Sequence, residues 1–182
     1  FSLGVIFAAA NSSRLLPKFG PRPLVTVGGV MGAGGLFYLS FITPKSSYLT
    51  HVMPAQLLAS LGLGSTFVAV ASTALFNVEP QDTGAASAVL QSAQQLGGSF
   101  GTAIQNTIFV SASAAFLTNA LSTSQPTMGS VQAVKAAAAV HGYDMAFRFG
   151  SLMILLGAVS FFLLANIDRH HLGQHDAQVA GH

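Results

Sequence analysis

The chain reads as an all-α, polytopic membrane protein, and three observations carry that reading: scarce charge, long apolar stretches, and a basic hinge between the first two of them. Charged residues make up 7% of the 182 residues and hydrophobic ones 51%, whereas an ordinary soluble domain is roughly one-quarter charged. A soluble fold of this size would lack the polar groups needed to cover its surface, while hydrocarbon demands apolar side chains on the outside. The absence of cysteine excludes a disulfide scaffold, thiol chemistry and cysteine metal sites. A net charge of +2 is too small for a nucleic-acid footprint, so no nucleic-acid partner is expected.

A helix crossing the roughly 30 Å hydrocarbon layer needs about 20 predominantly apolar residues. Residues 1–167 are expected to form one transmembrane bundle with spans at about 1–16, 24–43, 52–76, 84–116 and 145–167, followed by a polar tail at 168–182. The chain opens on Phe1 in an apolar run, without the basic start and small-residue cleavage site of a signal peptide. The first stretch is therefore expected to be the truncated end of a span, with a missing N-terminal part as its partner. The second stretch stops at Pro44-Lys45, and the third begins with Pro54 in its first turn, where a missing amide hydrogen is harmless. Residues 77–83 form a polar turn in which Asp82 or Thr83 can cap the next helix. The fourth stretch exceeds one crossing and must tilt or project.

The hinge holds Arg14, Lys18, Arg22, Gly20 and three prolines. Positive residues favour the cytoplasm, so this turn and the tail carrying Arg169 are assigned to the cytoplasmic side, and 119–144 to the outer side. Residues 119–129 have a loop composition, while 131–140 are alanine-rich and could form a short helix. That outer segment reads either as a lid or as a connector resting on the membrane surface.

Gly28 and Gly32, Ser60 and Gly64, and Gly97 and Gly101 each place small residues one turn apart, which lets helix backbones approach closely. Static packing and sliding during transport both use such surfaces. Local Gly-x-Gly patterns, as at Gly32 and Gly34, lie inside apolar runs with no preceding strand and are not dinucleotide loops. No enzyme activity, catalytic residue or cofactor is expected.

Gln91, Gln95, Gly98, Thr102 and Gln105 recur at spacings of four, three, four and three, which is one helical face. Amides facing lipid would go unsatisfied, so the stripe should face protein or a water-filled cavity. It serves either interhelical hydrogen bonding or a substrate route. Asp144 and Arg148, four apart, can pair on one turn, as a local ion pair or in substrate binding. No Asp, Glu or Lys lies in the middle of a span, which leaves the coupling carboxylate of an ion-driven mechanism outside these residues. His51 and His141 are proton-relay candidates. The tail histidines His170, His171, His175 and His182 lack fixed carboxylate or cysteine partners and are expected to be solvated, so no metal site is expected.

The hinge Lys18-Phe19-Gly20-Pro21-Arg22, followed by Leu24, Gly28 and Gly29, resembles the inter-helix loop signature of the major facilitator superfamily in its second-half version. The run 84–88 leading to Gln94-Gln95-Leu96-Gly97-Gly98-Ser99-Phe100-Gly101 is similar to the penultimate helix of that superfamily's 14-span drug:proton antiporter branch. The chain departs from the loop pattern at Pro17, where the superfamily usually has Asp, and at Ser13, where it has Gly. The resemblance covers essentially the whole chain. It implies the last five spans of a bacterial inner-membrane efflux transporter. It also implies a part for Lys18, Gly20 and Arg22 in the inward–outward switch.

The functional expectation is export of amphiphilic small molecules by proton antiport through alternating access, with substrate, protons and the lipid bilayer as partners. The alternatives are a same-fold transporter for one metabolite or natural product, and a non-transporting membrane scaffold.

Overall fold

In a computed structural model the chain is described over residues 1–43, 46–76, 78–123 and 128–164. Five α-helices make it up: α1 (Ser2–Phe19), α2 (Pro21–Leu39), α3 (Met53–Ala74), α4 (Thr83–Thr123) and α5 (Met128–Leu164). A π-helical turn at Tyr48–Val52 leads into α3. Among the described residues there is no strand. The segments Tyr48–Ala74, Thr83–Ser122 and Val131–Leu164 are each long and apolar enough to cross a membrane. The 18 residues of α1 and 19 of α2 correspond to ~27–29 Å of helix.

The helix boundaries differ from expectation in three places, each for a local reason. The expected hinge shrinks to one residue, because α1 continues through Pro17 to Phe19 and α2 begins at Pro21. Pro17 is exposed in the last turn of α1, while Pro21 and Pro23 occupy the first turn of α2, where amide hydrogens have no helical partner anyway. Secondly, α4 runs on past 116 to Thr123. Its 41 residues give ~62 Å of helix, about twice the hydrocarbon thickness, so it extends beyond the membrane or tilts within it.

Thirdly, the described part of 119–144 is neither loop nor separate short helix: it consists of the end of α4 and the beginning of α5, now a single 37-residue helix. The alanine-rich stretch has high helix propensity. Gly142 stays helical against α4, where an added Cβ would meet Ser113 Oγ and the Phe109 backbone. Ring contacts join the two helices there, Phe109 to Tyr143 at 4.6 Å and Phe116 to His141 at 5.4 Å between centroids. Lys45, the end of the expected fifth span at 165–167 and the tail at 168–182 lie outside the described residues.

The helices neighbour one another in the order α1, α3, α2, α5, α4. Buried positions carry small side chains: Ala8 on α1, Ala33 on α2, Ala55, Ala59 and Ala69 on α3, and Ala146 and Ala158 on α5. Large apolar residues point outward, with Leu3 and Leu164 each 83% exposed. A soluble core inverts that arrangement, whereas helices in lipid approach through small residues and present large ones to the acyl chains.

The closest approach is between α2 and α3. A Cβ on Gly62 would fall on the Gly28 carbonyl and the Gly32 amide, and one on Gly35 would lie 2.5 Å from the Ala59 amide nitrogen. On the other side of α3, a Cβ on Gly64 would come within 2.7 Å of the Val5 carbonyl of α1. Both small-residue pairs of this region are thus packing surfaces.

Candidate gating turn and substrate route

At the α1–α2 junction Gly20 has φ 78° and ψ 172°, a combination essentially restricted to glycine. Its amide donates to the Leu16 carbonyl at 2.8 Å, closing α1 while the chain reverses. Lys18 lies in the exposed last turn of α1, where a cation complements the carbonyl end of the helix. Arg22 sits one residue inside α2 with its guanidinium 5.8 Å from the centroid of Phe162 on α5, within cation–π range. The three residues singled out in the sequence therefore divide their tasks: Gly20 shapes the turn, Lys18 stays at its surface, and Arg22 reaches the last helix.

The stripe on α4 divides as well. Gln105 is half-buried against α5, where a Cβ on Gly150 would meet its amide nitrogen. Phe109 and Ser113 extend that packed face toward the end of α4. Going the other way along the same face, Thr102, Gly98, Gln95 and Gln91 are exposed. Added Cβ atoms on Gly97, Gly98 and Gly101 would meet nothing within 4 Å. The Thr102 hydroxyl donates to the Gly98 and Ser99 carbonyls at 2.8 and 3.0 Å, so the helix itself satisfies it. The amides of Gln91 and Gln95 have no side-chain hydrogen bond among those described and project from a helix face that this chain leaves open.

The remaining sequence candidates are packed locally. Arg148 Nε lies 2.6 Å from Asp144 Oδ1, forming the intrahelical ion pair. The N–H is not aligned for a hydrogen bond, so the contact is Coulombic. His51 stacks on Tyr38 at 6.4 Å and its Nδ1 is 3.1 Å from Thr50 Oγ1, and His141 rests on Phe116. Among the described residues no three His, Cys, Asp or Glu side chains could hold a metal ion. The tail histidines lie outside the described residues.

Sequence reasoning missed the face of α5 that ties the bundle together. The buried Ser151 hydroxyl donates to the Ala33 carbonyl of α2 at 2.9 Å, and Ala158 meets Gly29. The small residues Gly142 and Gly150 mark a different side of α5, the one packed on α4, and no periodic pattern pointed to Ser151.

A bundle whose buried positions are mostly small residues, whose outside is large apolar ones, and whose α4 is largely uncovered over residues 83–104, with its glutamine face and its apolar faces alike, has the character of a helical membrane protein. The chain is 37% identical over 167 residues to the puromycin resistance protein pur8 of Streptomyces alboniger, an alignment covering 89% of this chain and 32% of that protein. It is 37% identical over 87 residues to the cephamycin export protein CmcT of Amycolatopsis lactamdurans (48% of this chain, 18% of the relative). To the lincomycin resistance protein LmrB of Listeria monocytogenes it is 28% identical over 146 residues (80% and 29%). No protein-family model matches the chain. The chain is thus similar over most of its length to antibiotic resistance and export proteins, in agreement with its resemblance to the major facilitator superfamily. It spans about a third or less of the length of these relatives.

Proposed function

We propose that the chain forms the carboxyl-terminal part of an efflux transporter that exports amphiphilic organic compounds by proton antiport with alternating access. The observation that carries this reading is the exposed amide face of α4 at Gln91 and Gln95, a polar surface on a membrane-length helix that lipid cannot satisfy. The remainder of the transporter faces it across a water-filled route, and the substrate moves along that route. The α1–α2 turn acts in the inward–outward switch: Arg22, held over Phe162, links the turn to α5, so a rigid movement of one is transmitted to the other. The proton-accepting carboxylate lies in the remainder of the protein. The protein resides in the bacterial inner membrane, with the α1–α2 turn and the tail in the cytoplasm, as the cations of the turn favour.

A second reading, export of one natural product, is favoured by the relatives, since cephamycin export and puromycin resistance are each named for a single compound. A panel of structurally unrelated amphiphiles, puromycin among them, distinguishes the two in inverted vesicles carrying the intact protein. Uptake of several compounds that stops when the proton gradient is collapsed supports multidrug antiport. Uptake of one compound alone selects the narrow reading, and uptake insensitive to the gradient rejects antiport. Orientation is read by labelling single cysteines at Ser13 and Ser122 in intact cells with an impermeant reagent. Labelling at Ser122 alone is expected, and labelling at Ser13 alone reverses the topology.

A further inference from the structure

A groove of about 380 Å³ runs between α1 and α2 with α3 as its floor. Phe7, Leu15 and Phe19 on one wall face Leu24, Val27 and Met31 on the other. Phe19 and Pro23, on either side of the Gly20 turn, line one end of the groove.

Beside the residues that line the groove, α1 carries charge of one sign. Phe7 and Asn11 begin a row along α1 that continues at spacings of three and four to Arg14 and Lys18. Both cations are exposed. Neither forms a salt bridge among the described residues, where the ion pair found is that of Asp144 and Arg148. Long basic side chains near a helix end extend toward the headgroup layer while their stems stay on apolar surface. An apolar slot with two uncompensated cations at its membrane-surface end matches an anionic amphiphile of bilayer dimensions.

We propose that this groove binds an anionic phospholipid, with one acyl chain in the slot and the phosphate against Arg14 and Lys18. The charge complementarity chooses the occupant: the acyl chain of a zwitterionic lipid would fit the slot equally well, but its headgroup would bring a third, repelling cation beside Arg14 and Lys18. The site lies on α1 and α2 and is independent of the route assigned to α4.

The chain contains no tryptophan, so Met31→Trp places a reporter on the slot wall, and Val27→Trp, at an exposed position of the same wall, serves if Met31→Trp folds poorly. The intact protein is reconstituted in phosphatidylcholine vesicles containing phosphatidylglycerol, with acyl-chain bromine on one lipid or the other. The unsubstituted protein supplies the background from tryptophans elsewhere. At equal mole fraction brominated phosphatidylglycerol should quench the reporter more strongly than brominated phosphatidylcholine. Arg14→Gln should lower that preference by about fivefold, and Arg14→Lys should largely retain it. Equal quenching by the two lipids, or a preference unchanged in Arg14→Gln, overturns the proposal. Absence of quenching by either lipid also overturns it, because protein then fills the slot.

Discussion

The α2–α3 interface and the exposed half of α4 use the same small-residue chemistry to opposite ends. Gly28, Gly32 and Gly62 bring two backbones so close that an added methyl group would strike peptide atoms. Gly97, Gly98 and Gly101, at the same kind of spacing, face open space. The difference lies in what accompanies the glycines. Around Gly62 the neighbours are alanines and serines whose hydroxyls turn back onto their own helix, as Ser65 does onto the Leu61 and Gly62 carbonyls. Around Gly98 they are glutamines, whose amides cannot be satisfied within one helix turn and so need something beyond it. Glycine spacing alone therefore does not distinguish a closed interface from an open one; the side chains beside it do.

The largest effect should come from closing the close-packed side. Gly62→Leu puts a side chain onto the Gly28 carbonyl and the Gly32 amide, and overpacking of this kind costs about 1–3 kcal/mol or more. Fluorescence-detected size exclusion of the intact protein should show loss of the monodisperse peak. The matching change Gly98→Leu should leave that peak in place while impairing transport. If both variants unfold the protein alike, the contrast between the two regions is wrong.

A smaller effect is expected at the turn. Gly20→Ala forces a side chain onto φ 78° and ψ 172°, at a cost of about 1–3 kcal/mol, and should lower the thermal midpoint without disturbing α4. Arg22→Ala should slow turnover at near-normal abundance and substrate affinity, since its contact is with Phe162 and not with the exposed stripe. Unchanged turnover would remove Arg22 from the switch. Smallest of all, Ser151→Ala deletes one interhelical hydrogen bond, worth about 0.6–1 kcal/mol in a membrane setting, and should shift the thermal midpoint slightly with no change in substrate selectivity.

Helix type and order were legible in the sequence because apolar runs of membrane length allow little else. The breakpoints were less so. Prolines at 17, 21 and 23 suggested a long hinge, yet proline is compatible with the first turn of α2, so one glycine sufficed. The polar residues of 119–129 suggested a loop and 131–140 a separate short helix, but α4 continues to Thr123 and α5 begins at Met128, the two packed together through Phe109, Ser113 and Gly142. For the candidate site, the i, i+3, i+4 spacing placed the five α4 residues on one face. It could not show that Gln105 is taken up by α5 while Gln91 and Gln95 are left open, since that depends on where the two helices stay in contact. The Ser151 tie escaped notice because a lone serine in an apolar run carries no periodic signal.

The central claim is that Gln91 and Gln95 face the substrate route. A panel of compounds tested against Gln91→Leu and Gln95→Leu in the intact protein, with thermal stability measured in parallel, addresses it most directly. An amide that touches substrate contributes differently to different compounds, so resistance should fall by roughly fivefold or more for some and little for others, with the thermal midpoint unchanged. Uniform loss of resistance in step with loss of folded protein would contradict the account and make the stripe a packing surface.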